Sequence, residues 1–316
     1  MKRILVIRGG AIGDFVLTLP ALRALREAYS EAYLEILGYQ QIATLAAIAS
    51  YADAVRSIEY GPLSSFFARN AELPGELAAH FNSFDLILSY LYDPDRIFES
   101  NLRRAGVENL IIGPGKLANC EHAAQQLARP LQELGIYVSK FAAQISPSIQ
   151  DRHLASEFLH ACVEPIVVLH PGSGSEKKNW PLANWIELGN DLLGAESFGG
   201  SIVIVAGEAD AAQVGQLETT WQTGRVRFAK NLPLPLLAAI LDQTVFIGHD
   251  SGISHLAAAA GAHCILLFGP TDPKVWAPRN DNVRLIQAPD GDLRALDVDL
   301  VRAELVQELM RIGIST

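Results

Sequence analysis

Short, unbroken apolar runs alternate along the chain with stretches in which apolar side chains recur every three or four positions. Strands buried on both faces read as continuous apolar runs, so this alternation is the sequence form of an α/β protein with parallel sheets. The first run, Ile4-Leu5-Val6-Ile7, predicts a strand. A glycine-rich turn follows, and then a helix whose apolar positions include Leu22, Leu25 and Tyr29. Leu34 to Leu37, Val55 to Ile58, Leu86 to Leu88 and Leu110 to Ile112 predict further strands. A second series begins at Ile166-Val167-Val168-Leu169 and continues with Ile202 to Val205, Val245 to Ile247 and Cys264 to Phe268. The scheme therefore restarts near residue 160, after the polar stretch Ser146 to His153. The expected organisation is two Rossmann-like domains, 1–153 and 154–316, with parallel sheets facing each other across a cleft.

A length of 316 residues, 49% of them hydrophobic, supports two domains at about 150 residues each, both large enough to bury a core. The formal charge of −10 argues against nucleic acid as a partner, because such proteins carry a basic footprint. The balance is uneven: 13 basic and 15 acidic residues in 1–150, against 12 and 20 in 151–316, or −2 and −8. The N-terminal half is thus the more tolerant of an anionic partner. Three cysteines without paired spacing suggest neither a disulfide framework nor a zinc cluster. No apolar run reaches the roughly 18 residues of a membrane span. Met-Lys-Arg followed by an apolar run has the look of a leader, but Arg8-Gly9-Gly10 and Asp14 break it. A reduced, cytoplasmic protein is the expectation.

Three segments carry candidate chemistry, and each leaves a predicted strand. In Arg8-Gly9-Gly10-Ala11-Ile12-Gly13-Asp14 the glycines permit a sharp turn and expose amides at a helix start. The spacing is Gly-Gly-x-x-Gly, not Gly-x-Gly-x-x-Gly, and the second strand ends at Gly38-Tyr39-Gln40 without the acid that holds a ribose. Hydride transfer is therefore disfavoured. Asp14 reads either as a helix cap or as a general base at a cleft edge, and the pattern alone does not choose. The second segment runs from His170 to Pro181 and includes Ser173, Gly174 and Lys178, donors suited to a phosphate. A polar loop with solvated lysines is the plainer reading. The third, Gly248 to Ala257, places Ser251 and Gly252 at a helix N-terminus, which favours an anion. His255 lies one turn further on, and Asp250 precedes the helix. Gly269-Pro270-Thr271-Asp272-Pro273 lies at the end of the next strand, on the same rim. Metal-ligand spacings and Gly-x-Ser-x-Gly are both missing, so no metal and no hydrolase elbow are expected.

Taken in order, these segments resemble the heptosyltransferase family, glycosyltransferase family 9. The resemblance rests on Gly13-Asp14 with Thr18-Leu19-Pro20-Ala21-Leu22, and on Lys178-Asn179-Trp180-Pro181 with Trp185. It rests most of all on Asp250-Ser251-Gly252-Ile253-Ser254-His255-Leu256-Ala257, extended by Phe268-Gly269-Pro270-Thr271-Asp272-Pro273. It implies the two-domain GT-B fold and an inverting, metal-independent transfer of heptose from an ADP-sugar to a growing lipopolysaccharide inner core. By position, Asp14 would be the general base and Arg8 and Gly13 would lie on the acceptor side. Ser173, Gly174, Lys178, Asp250, Ser251, Gly252 and His255 would meet the donor nucleotide and its diphosphate. The implied partners are a nucleotide-sugar donor and a glycolipid or oligosaccharide acceptor, with room for a peripheral contact at the inner-membrane surface and no cofactor. Two other readings stay open on the same fold: a nucleotide-sugar epimerase or hydrolase, which would turn over donor without acceptor, and a non-catalytic nucleotide-binding protein.

Overall fold

The computed structural model describes residues 2–195 and 197–314. The chain divides into two compact units, Met1–Phe141 and Ala142–Thr316. In the first unit the described elements run β1 (Arg3–Arg8), α1 (Ile12–Val16), α2 (Leu19–Ala28), β2 (Tyr33–Gly38), α3 (Gln40–Ile48), β3 (Ala54–Ser57), α4 (Gly75–Asn82), β4 (Leu86–Ser89), α5 (Ile97–Arg104), β5 (Leu110–Ile112) and α6 (Ala123–Ala128). The second unit continues with α7 (Ile149–Leu159), β6 (Ile166–His170), α8 (Leu182–Gly194), β7 (Ser201–Ala206), α9 (Ala211–Thr220), β8 (Val226–Lys230) and α10 (Leu234–Leu241). It ends with β9 (Val245–His249), α11 (Gly252–Ala260), β10 (His263–Phe268), α12 (Pro273–Trp276), β11 (Val283–Gln287) and α13 (Val298–Arg311).

Both sheets are parallel throughout. The first has the order β3-β2-β1-β4-β5 and the second β11-β10-β9-β6-β7-β8. Read from β8, the second sheet repeats the first with one strand added. In each, the order reverses beside the unit's first strand, between β1 and β4 and between β6 and β9. Open α/β sheets bind ligands outside the strand carboxyl ends at such switch points. The central strands are apolar because helices cover both faces: Ile4, Leu5, Val6 and Ile7 are fully buried, as are Ile202, Val203 and Ile204. Trp180, Trp185 and Trp221 join the second unit's core, and Phe66, Phe81 and Phe98 fill the first.

Every strand expected from the apolar runs is present, and two more were not expected. β8 and β11 lie at the two edges of the second sheet, where one side of the strand meets solvent. Their apolar residues alternate with Arg227, Lys230 and Arg284, so no continuous run marks them. The single helix expected after the first turn is two, because the chain turns at Leu17-Thr18 and restarts with Pro20 in the first turn of α2. Leu22 and Leu25 are buried in α2, and Tyr29 lies just past its end.

The boundary between units also falls earlier than 153/154, at 141/142. Ser146 to His153 is polar because it starts α7, not because it is a linker. Ser148 accepts from the Asp151 N–H at 3.1 Å and Asp151 reaches back to the Ser148 N–H, a reciprocal cap. Residues 142–153 then fasten to the second unit. Ile145 N–H donates to the Ala259 carbonyl at 2.9 Å, Asn280 donates to the Ala143 carbonyl at 2.8 Å, and Arg152 pairs with Asp242. Ala155 packs with Ala239 and Ile240 of α10.

Candidate active site

In the first unit the turn after β1 carries Asp14 as the third residue of α1, not as its N-cap, which is Ala11. Gly10 holds a left-handed φ of +97°, which only glycine adopts readily, and a β-carbon there would lie 3.0 Å from Asp14 Oδ2. Asp14 Oδ2 accepts from the Ala11 N–H at 3.3 Å, so the cap reading and the base reading use the same carboxylate. Its side chain keeps 38% of its surface exposed, enough for a hydroxyl to reach it. Gly13 lies beside it in α1 and its carbonyl accepts from Leu17 N–H at 2.9 Å.

Arg8 is where sequence position and structure part. Its side chain is only 5% exposed and its contacts are internal. Arg8 Nε donates to Thr18 Oγ1 at 3.1 Å, and Nη2 donates to the Asp14 carbonyl at 3.1 Å. The same Nη2 lies 3.9 Å from Asp14 Oδ1, and Thr18 Oγ1 donates to the Asp14 carbonyl at 2.8 Å. The guanidinium also lies 5.9 Å from the centre of the buried Tyr90 ring. Burial lowers the Arg8 pKa and the Asp14 charge opposes that, but an arginine stays protonated. Arg8 therefore fixes the start of α1 and supplies positive charge behind Asp14, a positioning role in place of the acceptor contact expected for it.

In the second unit the loops after β6, β7, β9 and β10 converge at the carboxyl edge of the sheet. Their hub is His249, fully buried. Its Nε2 accepts from the Trp180 N–H at 2.8 Å, so the ring proton sits on Nδ1, 3.3 Å from the Gly172 carbonyl. One imidazole thereby ties both ends of the 170–181 loop to β9. Burial pushes its pKa down to about 3, so it is neutral. Trp180 and Trp185 are each 1% exposed and meet edge to face at 5.2 Å, and the Trp180 indole donates to the Leu296 carbonyl at 2.9 Å. Trp180 of the Lys-Asn-Trp-Pro segment is a loop anchor, packed against Trp185 of α8.

Lys178 Nζ pairs with Asp250 Oδ2 at 2.6 Å, and Thr271 Oγ1 donates to the same oxygen at 2.8 Å. Asp250 is thus more than a cap. It joins three loops and holds the lysine in place. Ser251 is the N-cap of α11, its hydroxyl accepting from Ser254 N–H at 3.3 Å. Gly252 opens the helix, and a helix leaves its first amides without internal partners. Ser173 Oγ lies 2.6 Å from Asn179 Oδ1 and 2.8 Å from the Ser175 carbonyl, and accepts from Ser175 N–H at 3.3 Å. Its hydroxyl braces the loop. Gly174 stands exposed with open space around its α-carbon. His255 is 5% exposed within the second turn of α11.

Three residues of this edge escaped sequence reasoning as functional candidates: His170, Asp210 and Thr271. His170, buried and with its pKa pushed by burial to about 4, lies 3.4 Å from Ser251 Oγ and 3.9 Å from Asp210 Oδ2. Asp210 accepts from Gly207 N–H at 2.9 Å and packs on Gly172, where a β-carbon would fall 1.8 Å from Asp210 Oδ1. That contact demands glycine at 172. The signal for Thr271 was its place in a strand-end turn on the same rim. Among the described residues, no group of three or more His, Cys, Asp or Glu could hold a metal ion.

Comparison with known proteins fits this geometry. The chain is 25% identical to lipopolysaccharide heptosyltransferase 3 of Escherichia coli over 311 residues, 90% of this chain and 88% of that protein. It is 28% identical to lipopolysaccharide heptosyltransferase 1 of Salmonella typhimurium over 155 residues, 48% of each. Two solved structures share the fold. A glycosyl transferase family 9 protein from Veillonella parvula superposes with a TM-score of 0.81 at 19% identity, covering 98% of this chain and 97% of that one. E. coli ADP-heptose lps heptosyltransferase II gives 0.77 at 16% identity, covering 99% of both chains. The model of glycosyltransferase family 9 (heptosyltransferase) matches residues 120–297, which include every residue of the second unit's sheet edge described above. The chain belongs to glycosyltransferase family 9, the heptosyltransferase family, and is a glycosyltransferase.

Proposed function

We infer that this enzyme moves a heptose from an ADP-activated donor to a lipopolysaccharide inner-core acceptor, with inversion and without a metal. The observation that carries the reading is family membership joined to a donor edge in which Lys178, Asp250 and the α11 N-terminus meet at the β6/β9 switch point. Asp14 takes the proton of the acceptor hydroxyl as its oxygen attacks the anomeric carbon from the face opposite the diphosphate. The new C–O bond forms as the bond to the diphosphate oxygen breaks, and ADP leaves. Negative charge grows on the departing diphosphate, and donors fixed in advance at that position lower the barrier. Lys178 and the first amides of α11 fill that role, with Asp250 and Thr271 keeping the lysine from swinging away. The first unit handles the acceptor and the second the donor. No helix among the described residues is long and apolar enough to cross a membrane. We place the reaction at the cytoplasmic face of the inner membrane, with peripheral contact supplied by the acceptor's lipid.

A thermal-shift panel of ADP, UDP, GDP and dTDP tests the donor half. A ligand at 100 times its Kd stabilises by about 2.7 kcal/mol, so ADP should raise the midpoint well above the other three. No response to any diphosphate would leave the donor assignment without support. Donor consumption at full rate without acceptor would favour an epimerase or hydrolase instead.

A further inference from the structure

Ser251 caps α11, the helix whose first amides receive the diphosphate in the reaction proposed above, and its side chain is held from behind. Its Oγ accepts from the Ser254 N–H at 3.3 Å and lies 3.1 Å from Ser254 Oγ. Ser254 has one hydroxyl proton, and it goes to the His249 carbonyl. The Ser251 proton therefore has two acceptors inside the protein. One is Ser254 Oγ, and the other is His170 Nδ1, 3.4 Å away. Neither His170 nor Asp210, which stands behind it, has yet been given a role in the reaction.

Which ring nitrogen of His170 carries the proton decides whether the serine bond exists. His170 ends β6 and is buried, and burial pushes its pKa down to about 4, so the ring is neutral and holds a single proton. Asp210 Oδ2 lies 3.9 Å from Nε2. That carboxylate is fixed from two sides, by the Gly207 N–H and by its packing on Gly172. A carboxylate facing a ring nitrogen favours an N–H there over a lone pair, which puts the proton on Nε2 and leaves Nδ1 as an acceptor. The neighbouring groups are committed elsewhere. His249 keeps its own proton on Nδ1 towards the Gly172 carbonyl, and Asp250 is taken by Lys178 and Thr271. The Phe246 ring lies beside the imidazole, 6.4 Å between centres and 27° from parallel, and offers it no proton. The two buried histidines of this edge thus hold opposite tautomers, each set by what faces it.

We propose that His170 is a positioning residue of the donor edge: with Asp210 at its Nε2, it accepts from the Ser251 hydroxyl at Nδ1 and fixes the cap of α11, keeping the first amides of that helix aimed at the diphosphate. The inference rests on the donor role proposed for the second unit. Its geometry is tested without ligand by long-range proton–nitrogen NMR on the full-length protein with labelled histidine. His170, identified by the signals lost in His170→Asn, should be protonated on Nε2, and His249 on Nδ1. A proton on His170 Nδ1 overturns the proposal. The role is tested by two variants that divide the contacts. Asparagine sets an oxygen near the place of Nδ1, whereas glutamine sets its amide near the place of Nε2 and leaves Ser251 without a partner. His170→Gln should weaken ADP binding in calorimetry at least fivefold and His170→Asn less than twofold, with kcat of transfer falling in the same order. In a Ser251→Ala background, His170→Gln should change ADP affinity less than twofold, because the residue it acts through is gone. Equal losses in the two variants, or a fivefold loss that persists in Ser251→Ala, would make His170 a packing residue only and overturn the proposal. ADP binding absent from the unaltered protein would instead overturn the donor reading, while the tautomers still test the Asp210–His170–Ser251 arrangement.

Discussion

Gly172 offers a direct measure of how tightly the donor loops are registered. Replacing it by alanine puts a β-carbon 1.8 Å from Asp210 Oδ1 and 2.3 Å from its Cγ, distances no packed structure tolerates. Asp210 is 8% exposed, so the carboxylate has little room to retreat. If it swings away, it abandons the Gly207 N–H it now binds at 2.9 Å, and losing a part-buried bond to a carboxylate costs about 1–2 kcal/mol. If it stays, the loop after β6 must move, and overpacking of this kind costs about 1–3 kcal/mol. The cheaper of the two responses sets the cost, about 1–2 kcal/mol for Gly172→Ala. The steric partner can be removed separately: Asp210→Ala should cost about 1–2 kcal/mol, the Gly207 bond alone. In that background Gly172→Ala should add less than about 0.5 kcal/mol, giving a coupling of at least about 0.5 kcal/mol, in the range seen for residues in contact. All four tryptophans, 180, 185, 221 and 276, lie in the second unit, so fluorescence-detected urea unfolding reports on it selectively. Gly172→Ala should also weaken ADP binding by tenfold or more, since the loop it displaces carries Ser173 and Lys178. The same cost for Gly172→Ala in both backgrounds would refute the steric reasoning.

Three further outcomes are expected. Asp14→Asn keeps the size of the side chain but removes the base, so kcat should fall by about 10²–10⁴ while ADP affinity measured by calorimetry changes less than twofold; turnover within tenfold of the unaltered enzyme would contradict the assignment. Arg8→Met removes the donors to Thr18 and to the Asp14 carbonyl, and about 2–3 kcal/mol of stability should be lost with them. Its kcat should fall with the acceptor KM little changed, whereas a selective rise in that KM would restore Arg8 to the acceptor site. Burial holds His170 and His249 neutral, with folded pKa values of about 4 and about 3 against an ordinary 6.5. The unfolded chain then binds protons that the native one does not, so their contribution is complete above pH 6.5 and is lost progressively as pH falls towards 4 and 3. The fluorescence-detected urea midpoint should fall between pH 7.5 and 5, and a flat profile would show that these imidazoles are not buried as described.

Much of the fold was legible because its central strands are covered on both faces, which leaves no room for polar residues in Ile4 to Ile7 or Ile202 to Val205. The same physics hid β8 and β11, whose edge positions admit arginine and lysine. Ser146 to His153 misled for a local reason: a capping box and a linker share composition, and only the partners of Ile145 and Arg152 tell them apart. The donor loops were visible as segments because glycine, serine and lysine after a strand carry a stated chemistry. Which residue braces and which one meets a ligand depends on contacts between loops far apart in sequence. Ser173 turns inward to Asn179, Lys178 is held by Asp250 across 72 positions, and His249 spans 69 to reach Trp180. Arg8 could not be read either, because an arginine that ends a strand beside a ligand loop looks the same in sequence whether it faces the ligand or the helix behind it.

The central claim is acceptor-dependent transfer with Asp14 as base. Purified enzyme would be given ADP-heptose with or without a lipopolysaccharide inner-core acceptor, in the presence of EDTA, with ADP release followed over time and product mass and anomeric configuration determined. The account predicts ADP release only when acceptor is present, a mass gain of one heptosyl unit, an inverted anomeric centre, undiminished rate in EDTA, and loss of all of it in Asp14→Asn. Equal ADP release without acceptor, or a retained anomeric configuration, would contradict it.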